Sequence, residues 1–202
     1  MDLRFFISVF LILVPSIGTA QDRKQAQATR VEPGAVRVDG RLDDAAWRTA
    51  TPITDFVQKE PTEGAAPTDA MDVRVLYDQD ALYIGARMYT RAARAVQSPL
   101  GRRDAIQQAE HIVVSLDTFL DRRTAAAFGV TMAGVRIDRF HSTDNEDSFD
   151  NGFDPVWEAQ TAREEESWTA ELWIPFSQLR FTPMRTHVWG MNIQRFRPTL
   201  KE

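Results

Sequence analysis

The sequence predicts an all-β protein, an antiparallel β-sandwich of the jelly-roll kind with eight to ten strands. Three observations carry this prediction. From residue 36 onward, apolar and polar residues alternate with a period of two in short segments, and turn residues separate these segments at regular spacing. Only two short stretches look helical, so the long crossover helices of parallel α/β folds are missing.

Ten short segments are the strand candidates, and each is bounded by Gly, Pro, Asp or Asn signals. They are residues 36–39, 53–58, 72–77, 81–89, 111–119, 125–132, 135–140, 156–163, 168–174 and 188–196. Residues 43–47 and 176–179 are the two predicted helical turns, the first capped by Asp43 and the second following Pro175.

The segment 168–174 shows the alternation most clearly. Trp168, Ala170, Leu172 and Ile174 share one face, which we expect to point into the core. Thr169, Glu171 and Trp173 then share the opposite face. Trp47, Trp168 and Trp189 have apolar neighbours, so all three are expected in the core.

The first twenty residues form a predicted secretory signal peptide. Arg4 provides the positive charge, residues 5–14 are almost all apolar, and Gly18-Thr19-Ala20 supplies the small residues that a signal peptidase recognises. Ten apolar residues are too few to span a bilayer as a helix. We therefore expect an exported protein, periplasmic or associated with the outer membrane. Residues 21–35 are a predicted flexible lead-in and 36–202 the domain, which ends as if in mid-pattern, so that truncation at the C-terminus stays open.

Composition excludes several functional classes. The 202 residues contain no cysteine, which excludes disulfides, thiolate metal sites and cysteine nucleophiles. Lys and Arg number 24 against 29 Asp and Glu, a net charge of −5, and no basic stripe is present, so nucleic acid is not an expected partner.

Several blocks of sequence, in order, resemble carbohydrate-binding module family 9-like domains. They are VDGRLDDAAW (38–47), FVQ (56–58), VRVLYD (73–78), LYI (82–84), LDTF (116–119), WTAELWIPF (168–176), LRF (179–181) and WGMN (189–192). The version that they resemble most stands at the N-terminus of large bacterial envelope proteins that continue into a C-terminal membrane barrel. The resemblance implies a β-sandwich, binding of polysaccharide or oligosaccharide, and an association with polysaccharide breakdown.

Two tryptophans are the main candidates for sugar contact. Trp173 lies beside Glu171 on the face predicted to be outward, where an indole would stack on a pyranose and the carboxylate would accept hydroxyl hydrogen bonds. Trp157 is the second candidate, and Tyr83 beside Arg87 is a weaker one. The alternative is that a loop or a partner covers this face.

The stretch 144–154 is the densest cluster of oxygen ligands in the chain. Asp144, Asp147, Asp150, Asn151 and Asp154 are the candidate ligands for calcium. Its spacing departs from that of an EF-hand, since Phe149 occupies the third ligand position counted from Asp147. A solvated acidic loop without an ion is the alternative.

Catalysis has little support in the sequence. Glu158, Glu171 and Asp117 contain a conceivable glycosidase carboxylate pair, but no nucleophile elbow, phosphate loop or dinucleotide motif is present. Two other functions stay open. One is a structural or gating domain of an outer-membrane barrel without a sugar ligand. The other is a haem-binding sandwich, whose ligands would come from His111, His141, Met71, Met88, Met132 and Met191.

Overall fold

The computed structural model describes residues 24–90, 99–104, 109–145 and 148–202. Within these residues the chain forms nine strands and two short 3₁₀ helices, Ala45–Thr49 and Phe176–Gln178. The strands are β1 (Thr29–Arg30), β2 (Met71–Tyr77), β3 (Ala81–Tyr89), β4 (His111–Asp117), β5 (Ala125–Thr131), β6 (Arg136–His141), β7 (Glu158–Arg163), β8 (Ser167–Pro175) and β9 (Gly190–Phe196).

The strands form two sheets that face each other. The first has the order β1-β2-β3-β8-β7 and the second the order β6-β5-β4-β9. All pairings are antiparallel except that of β1 with β2. The predicted antiparallel β-sandwich is therefore confirmed. Neither helical segment in the described part of the chain has the length or the apolar character to cross a bilayer.

The core between the sheets follows the predicted alternation. Ile84 of β3 and Leu172 of β8 are fully buried and belong to the same core as Val114 of β4 and Phe128 of β5. All four inward residues predicted for 168–174 are completely buried. Period-two patterning was sufficient here because each of these strands presents one continuous apolar face to the opposite sheet.

Two predicted strands do not form. Residues 36–39 have no regular secondary structure, and in 53–58 only Ile53 makes a bridge, with Val73. Conversely, the predicted lead-in contributes β1, whose Thr29 lies opposite Leu76, and Val31 N donates to the carbonyl of Tyr77. The ordered domain therefore begins before residue 36.

Residues 31–50, the cover segment, lie over the outer face of β3 and β8. Val36, Ala46 and Trp47 of this segment form a second core with Leu76 and Tyr83 of the sheet. The first sheet is therefore buried on both faces near its centre. Trp47 is 2% exposed, so its predicted role as a core residue is confirmed.

Candidate functional site

Glu171, predicted to face solvent beside Trp173, is fully buried under the cover segment. Its Oε2 accepts hydrogen bonds from the backbone N–H groups of Asp39 and Gly40, both at 2.8 Å. Its Oε1 accepts one from the indole N–H of Trp47, also at 2.8 Å. The prediction of an exposed carboxylate is wrong, because three donors of the cover segment use its oxygens. Burial raises the pKa of Glu171, and these hydrogen bonds partly offset that rise.

A glycine makes room for this arrangement. Gly85 lies opposite Glu171 in the β3–β8 register. A methyl group at Gly85 would come within 2.7 Å of the Trp47 ring and 2.8 Å of Leu42. The Trp47 ring therefore packs directly on the β3 backbone. The outer face of β3 and β8, which the sequence predicted to be exposed to solvent, is covered here by the packed side chains of the cover segment.

Trp173 and Tyr83 belong to the same covered face. Trp173 is half-buried against the second core, and Tyr83 is 7% exposed. The Tyr83 hydroxyl donates to Asp78 Oδ2 at 2.9 Å, and burial with this partner raises the pKa of Tyr83 to about 12. Tyr83 therefore presents neither a free ring nor a free hydroxyl, and its predicted role in sugar contact is corrected.

Trp157 is also in the interior, at 1% exposure. Its ring packs edge-on against Phe128, with centroids 5.3 Å apart, and its indole N–H lies 3.4 Å from Asp138 Oδ1. The prediction that Trp157 is available for stacking is wrong, because it precedes β7 and points between the sheets.

Arg87 is the predicted ligand residue that stays at the surface. Its guanidinium pairs with Glu164 at 3.1 Å, at the rim of a small acidic depression formed by residues 164–166. With Glu171 buried on the adjacent strand, Arg87 has no carboxylate–indole pair beside it. The structure therefore does not assemble the site that the sequence predicted.

The acidic loop uses several of its carboxylates within the protein. Asp150 Oδ1 accepts from Gly152 N at 2.7 Å, and Asp154 pairs with Arg103 at 2.6 Å. Asp144 and Asn151 are exposed, and Asp147 lies outside the described residues. The described residues contain no group of three or more acidic or histidine ligands placed to hold a metal ion. Calcium at this loop stays a prediction, which melting with calcium and with a chelator would test.

The haem alternative depended on histidine and methionine ligands. His111 is 9% exposed, its Nδ1 lies 2.8 Å from the Ala109 carbonyl, and its ring packs against Phe196. Met88 and Met132 are buried in the main core, as expected for filler residues. His141 contacts Phe149 instead of a methionine. Haem binding therefore gains no support from the described geometry.

An open cleft with a volume of about 1990 Å³ lies between β2 and β9. Met191 and Ile193 of β9 lie opposite Leu116 and Val114, so their side chains point towards the other sheet. Yet Met191 is 39% exposed and Ile193 only half-buried, whereas Leu116 and Val114 are fully buried. The two sheets therefore separate at this edge and leave apolar surface accessible.

Four rings form an aromatic cluster on one wall of this cleft: Phe176, Phe181, His187 and Trp189. The Phe181 ring lies 5.3 Å from that of Trp189 and 5.0 Å from that of His187, and Phe176 packs edge-on against both Phe181 and Trp189. His187 is exposed and the other three are half-buried. The cluster is therefore held rigidly and remains reachable from solvent.

Trp189 combines a ring on the cleft wall with an unsatisfied donor. Its indole nitrogen is buried and finds no hydrogen-bond acceptor among the described residues. A buried donor without an acceptor costs about 1–3 kcal/mol, so an incoming acceptor would recover free energy. Polar groups complete the cleft: Gln58 on one side, Arg185 on the other, and the Lys24–Asp55 pair at 2.8 Å.

The sequence placed Trp189 in the core, and its half-buried ring does pack against the main core. Its contacts with Phe176, Phe181 and His187 at the cleft were not predicted. The available signal was the grouping of aromatic residues outside regular strands, at positions 176, 181, 187 and 189. Alternation could not show that β9 lies at an edge where the sheets diverge.

Comparison with known proteins supports the fold. A carbohydrate-binding module family 9 protein from Caldicellulosiruptor kristjanssonii, solved with cellotriose, matches with a TM-score of 0.59 and 16% identity over 85% of this chain and 77% of that one. Its structure with glucose gives 0.58 and 17%, over 84% and 78%. A candidate carbohydrate-binding protein from Bacteroides uniformis gives 0.65 and 11%, over 86% and 84%.

These structures establish that the chain has a sandwich fold like that of carbohydrate-binding module family 9, and the predicted resemblance is confirmed at that level. No family model matches the sequence, and no curated protein matches it either.

Proposed function

We propose that the protein is a non-catalytic carbohydrate-binding module whose site is the open cleft between β2 and β9. The observation that carries this proposal is the aromatic cluster of Phe176, Phe181, His187 and Trp189 on the cleft wall. Half-buried rings present flat apolar faces that stack on the C–H faces of pyranose rings. The similar folds solved with cellotriose and glucose support the ligand class.

Rigid placement of the rings favours binding. The four rings contact one another, so little side-chain entropy is lost when a sugar stacks on them. Gln58 and Arg185, which line the same cleft, would bind hydroxyl groups of the saccharide. A volume of about 1990 Å³ leaves room for an oligosaccharide of several units.

Isothermal titration calorimetry with cellotriose tests the proposal. Trp189→Ala is expected to weaken binding at least tenfold, because it removes a stacking surface and leaves the neighbouring Phe181 ring without its contact. Trp173→Ala is the matched control, since this half-buried tryptophan lies on the covered face, and it should leave the affinity within about twofold of wild type. Binding that is lost in Trp173→Ala and retained in Trp189→Ala would contradict the proposal.

Export and participation in polysaccharide breakdown are further parts of the proposal. They are supported by the signal-like residues 1–20, which lie outside the described residues, and by the family resemblance. Expression of the full chain in a bacterial host, with N-terminal sequencing of the periplasmic fraction, should give a mature chain that starts at Gln21. Cytoplasmic protein that retains Met1 would contradict export.

A structural or gating module of an outer-membrane barrel is the second candidate. The observation that favours it is exposed apolar surface near the cleft, at Met184 (59%), Val188 (64%) and Leu200 (40%). Such surface suits a protein interface. A glycan array on which nothing binds, together with capture of a barrel protein from solubilised envelopes, would favour this candidate over carbohydrate binding.

A further inference from the structure

In the part of the chain that the structure describes, the sandwich has four edge strands, and three of them are protected against pairing with another chain. β1 has only two residues. β7 carries Glu158 and Arg163, both exposed. β6 carries Arg136 and Arg139, and its Phe140 already bridges to Asp150. Short length, charge and a covering bridge are the usual ways in which proteins block sheet edges.

β9 has none of these protections. It is seven residues long, and within the described residues it has no backbone partner on the side away from β4. Its exposed side chains Asn192 and Gln194 are uncharged. The one charge on the strand, Arg195, is 7% exposed and paired with Glu110 at 2.6 Å, which neutralises it.

We propose that β9 pairs antiparallel with β9 of a second copy of this chain, about a two-fold axis through Ile193. This register is the one that pairs all seven residues. It places Ile193 opposite Ile193 of the other copy, and Asn192 opposite Gln194. Met191 then faces the aliphatic part of Arg195, and Gly190 faces Phe196.

The strand is complementary to itself in this register. No like charges lie opposite each other, which matters because directly opposed like charges destabilise a sheet. Two amide pairs, Asn192 with Gln194 and the reverse, lie side by side on the outer face of the sheet. The two four-stranded sheets β6-β5-β4-β9 would join into one sheet of eight strands.

Charge substitutions at the two exposed amides test the pairing and its register together. In Asn192→Lys/Gln194→Lys, each lysine lies opposite a lysine of the other copy. In Asn192→Lys/Gln194→Glu, each lysine lies opposite a glutamate. Both variants change the same two exposed positions, so they form a matched pair.

Light scattering after gel filtration, and sedimentation equilibrium, give the mass of the full mature chain. Wild type is expected to be dimeric and the Lys/Lys variant monomeric. The Lys/Glu variant should dimerise at least about tenfold more tightly than Lys/Lys, which corresponds to about 1.4 kcal/mol. A monomeric wild type at all concentrations, a Lys/Lys variant as dimeric as wild type, or equal dissociation constants for the two variants would overturn the proposal.

Further measurements separate this result from misfolding and from the proposed function. Far-UV circular dichroism spectra of both variants should match that of wild type, since the altered side chains are exposed on the folded chain. Amide exchange in β9 should be slow in wild type and fast in the Lys/Lys variant. All seven residues of β9 also line the cleft, so Trp189→Ala distinguishes the two proposals: it should lose cellotriose binding and remain dimeric, because Trp189 lies outside the paired strand.

Discussion

Trp47, on the outer face of the first sheet, and Trp189, at the cleft, differ in whether the indole N–H has a hydrogen-bond acceptor. On the outer face, the cover segment delivers Trp47 onto Gly85 and gives its indole N–H to Glu171. At the cleft, the indole N–H of Trp189 is without an acceptor among the described residues. Both tryptophans look alike in the sequence, since each has apolar neighbours. The comparison shows that a structural tryptophan differs from a candidate binding one in whether its indole N–H has an acceptor, more than in where its ring lies.

The covered face should give the largest effect on stability. Glu171→Ala removes the acceptor for two backbone N–H groups and the Trp47 indole, and it is expected to lower the free energy of unfolding by about 4 kcal/mol. Urea denaturation measures this. Glu158→Ala is the control: Glu158 is exposed on the edge strand β7, so its loss should cost less than about 1 kcal/mol. Equal costs would mean that Glu171 does not hold the cover segment.

Gly85→Ala should have an intermediate effect. The added methyl group would lie 2.7 Å from the Trp47 ring, and the expected cost is about 2 kcal/mol from overpacking. In a Trp47→Phe background, the smaller ring leaves space and the same substitution should cost clearly less. An unchanged cost in that background would show that the two residues do not compete for the same space.

The smallest expected effect reports on the β9 side of the molecule. Burial lowers the pKa of His111, whose ring packs against Phe196 of β9. The unfolded chain therefore takes up a proton at a higher pH than the folded one, so the free energy of unfolding should fall as the pH drops below about 6.5. Urea midpoints between pH 7.5 and about 5 measure this fall, and it should be shallower in His111→Gln. Identical pH dependence in wild type and His111→Gln would show that His111 does not cause the fall in stability.

Much of the fold could be predicted because its signals are local. Alternation in 72–77, 81–89 and 168–174 identified strands and their inward residues, and both helical turns were found near their places. The errors arose where tertiary contacts decide. Alternation assigns Glu171 and Trp173 to the outer face of the sheet. It cannot show that residues 31–50, which are far from β8 in the sequence, fold over that face. The block VDGRLDDAAW, which carries the family resemblance, supplies that cover, with Asp39, Gly40 and Trp47 bound to Glu171.

The candidate site was missed for the converse reason. Trp189 has Met191 and Ile193 in period with it, which is the pattern of a core strand. Only the sheet order reveals that β9 is an edge strand and that β2 does not close over it.

The most direct test of the cleft as the binding site is amide hydrogen exchange with and without cellotriose. We predict slower exchange in residues 185–194, along the aromatic wall, and unchanged exchange in residues 36–47 of the cover segment. Protection confined to the cover segment, with none along 185–194, would contradict the assignment of the cleft.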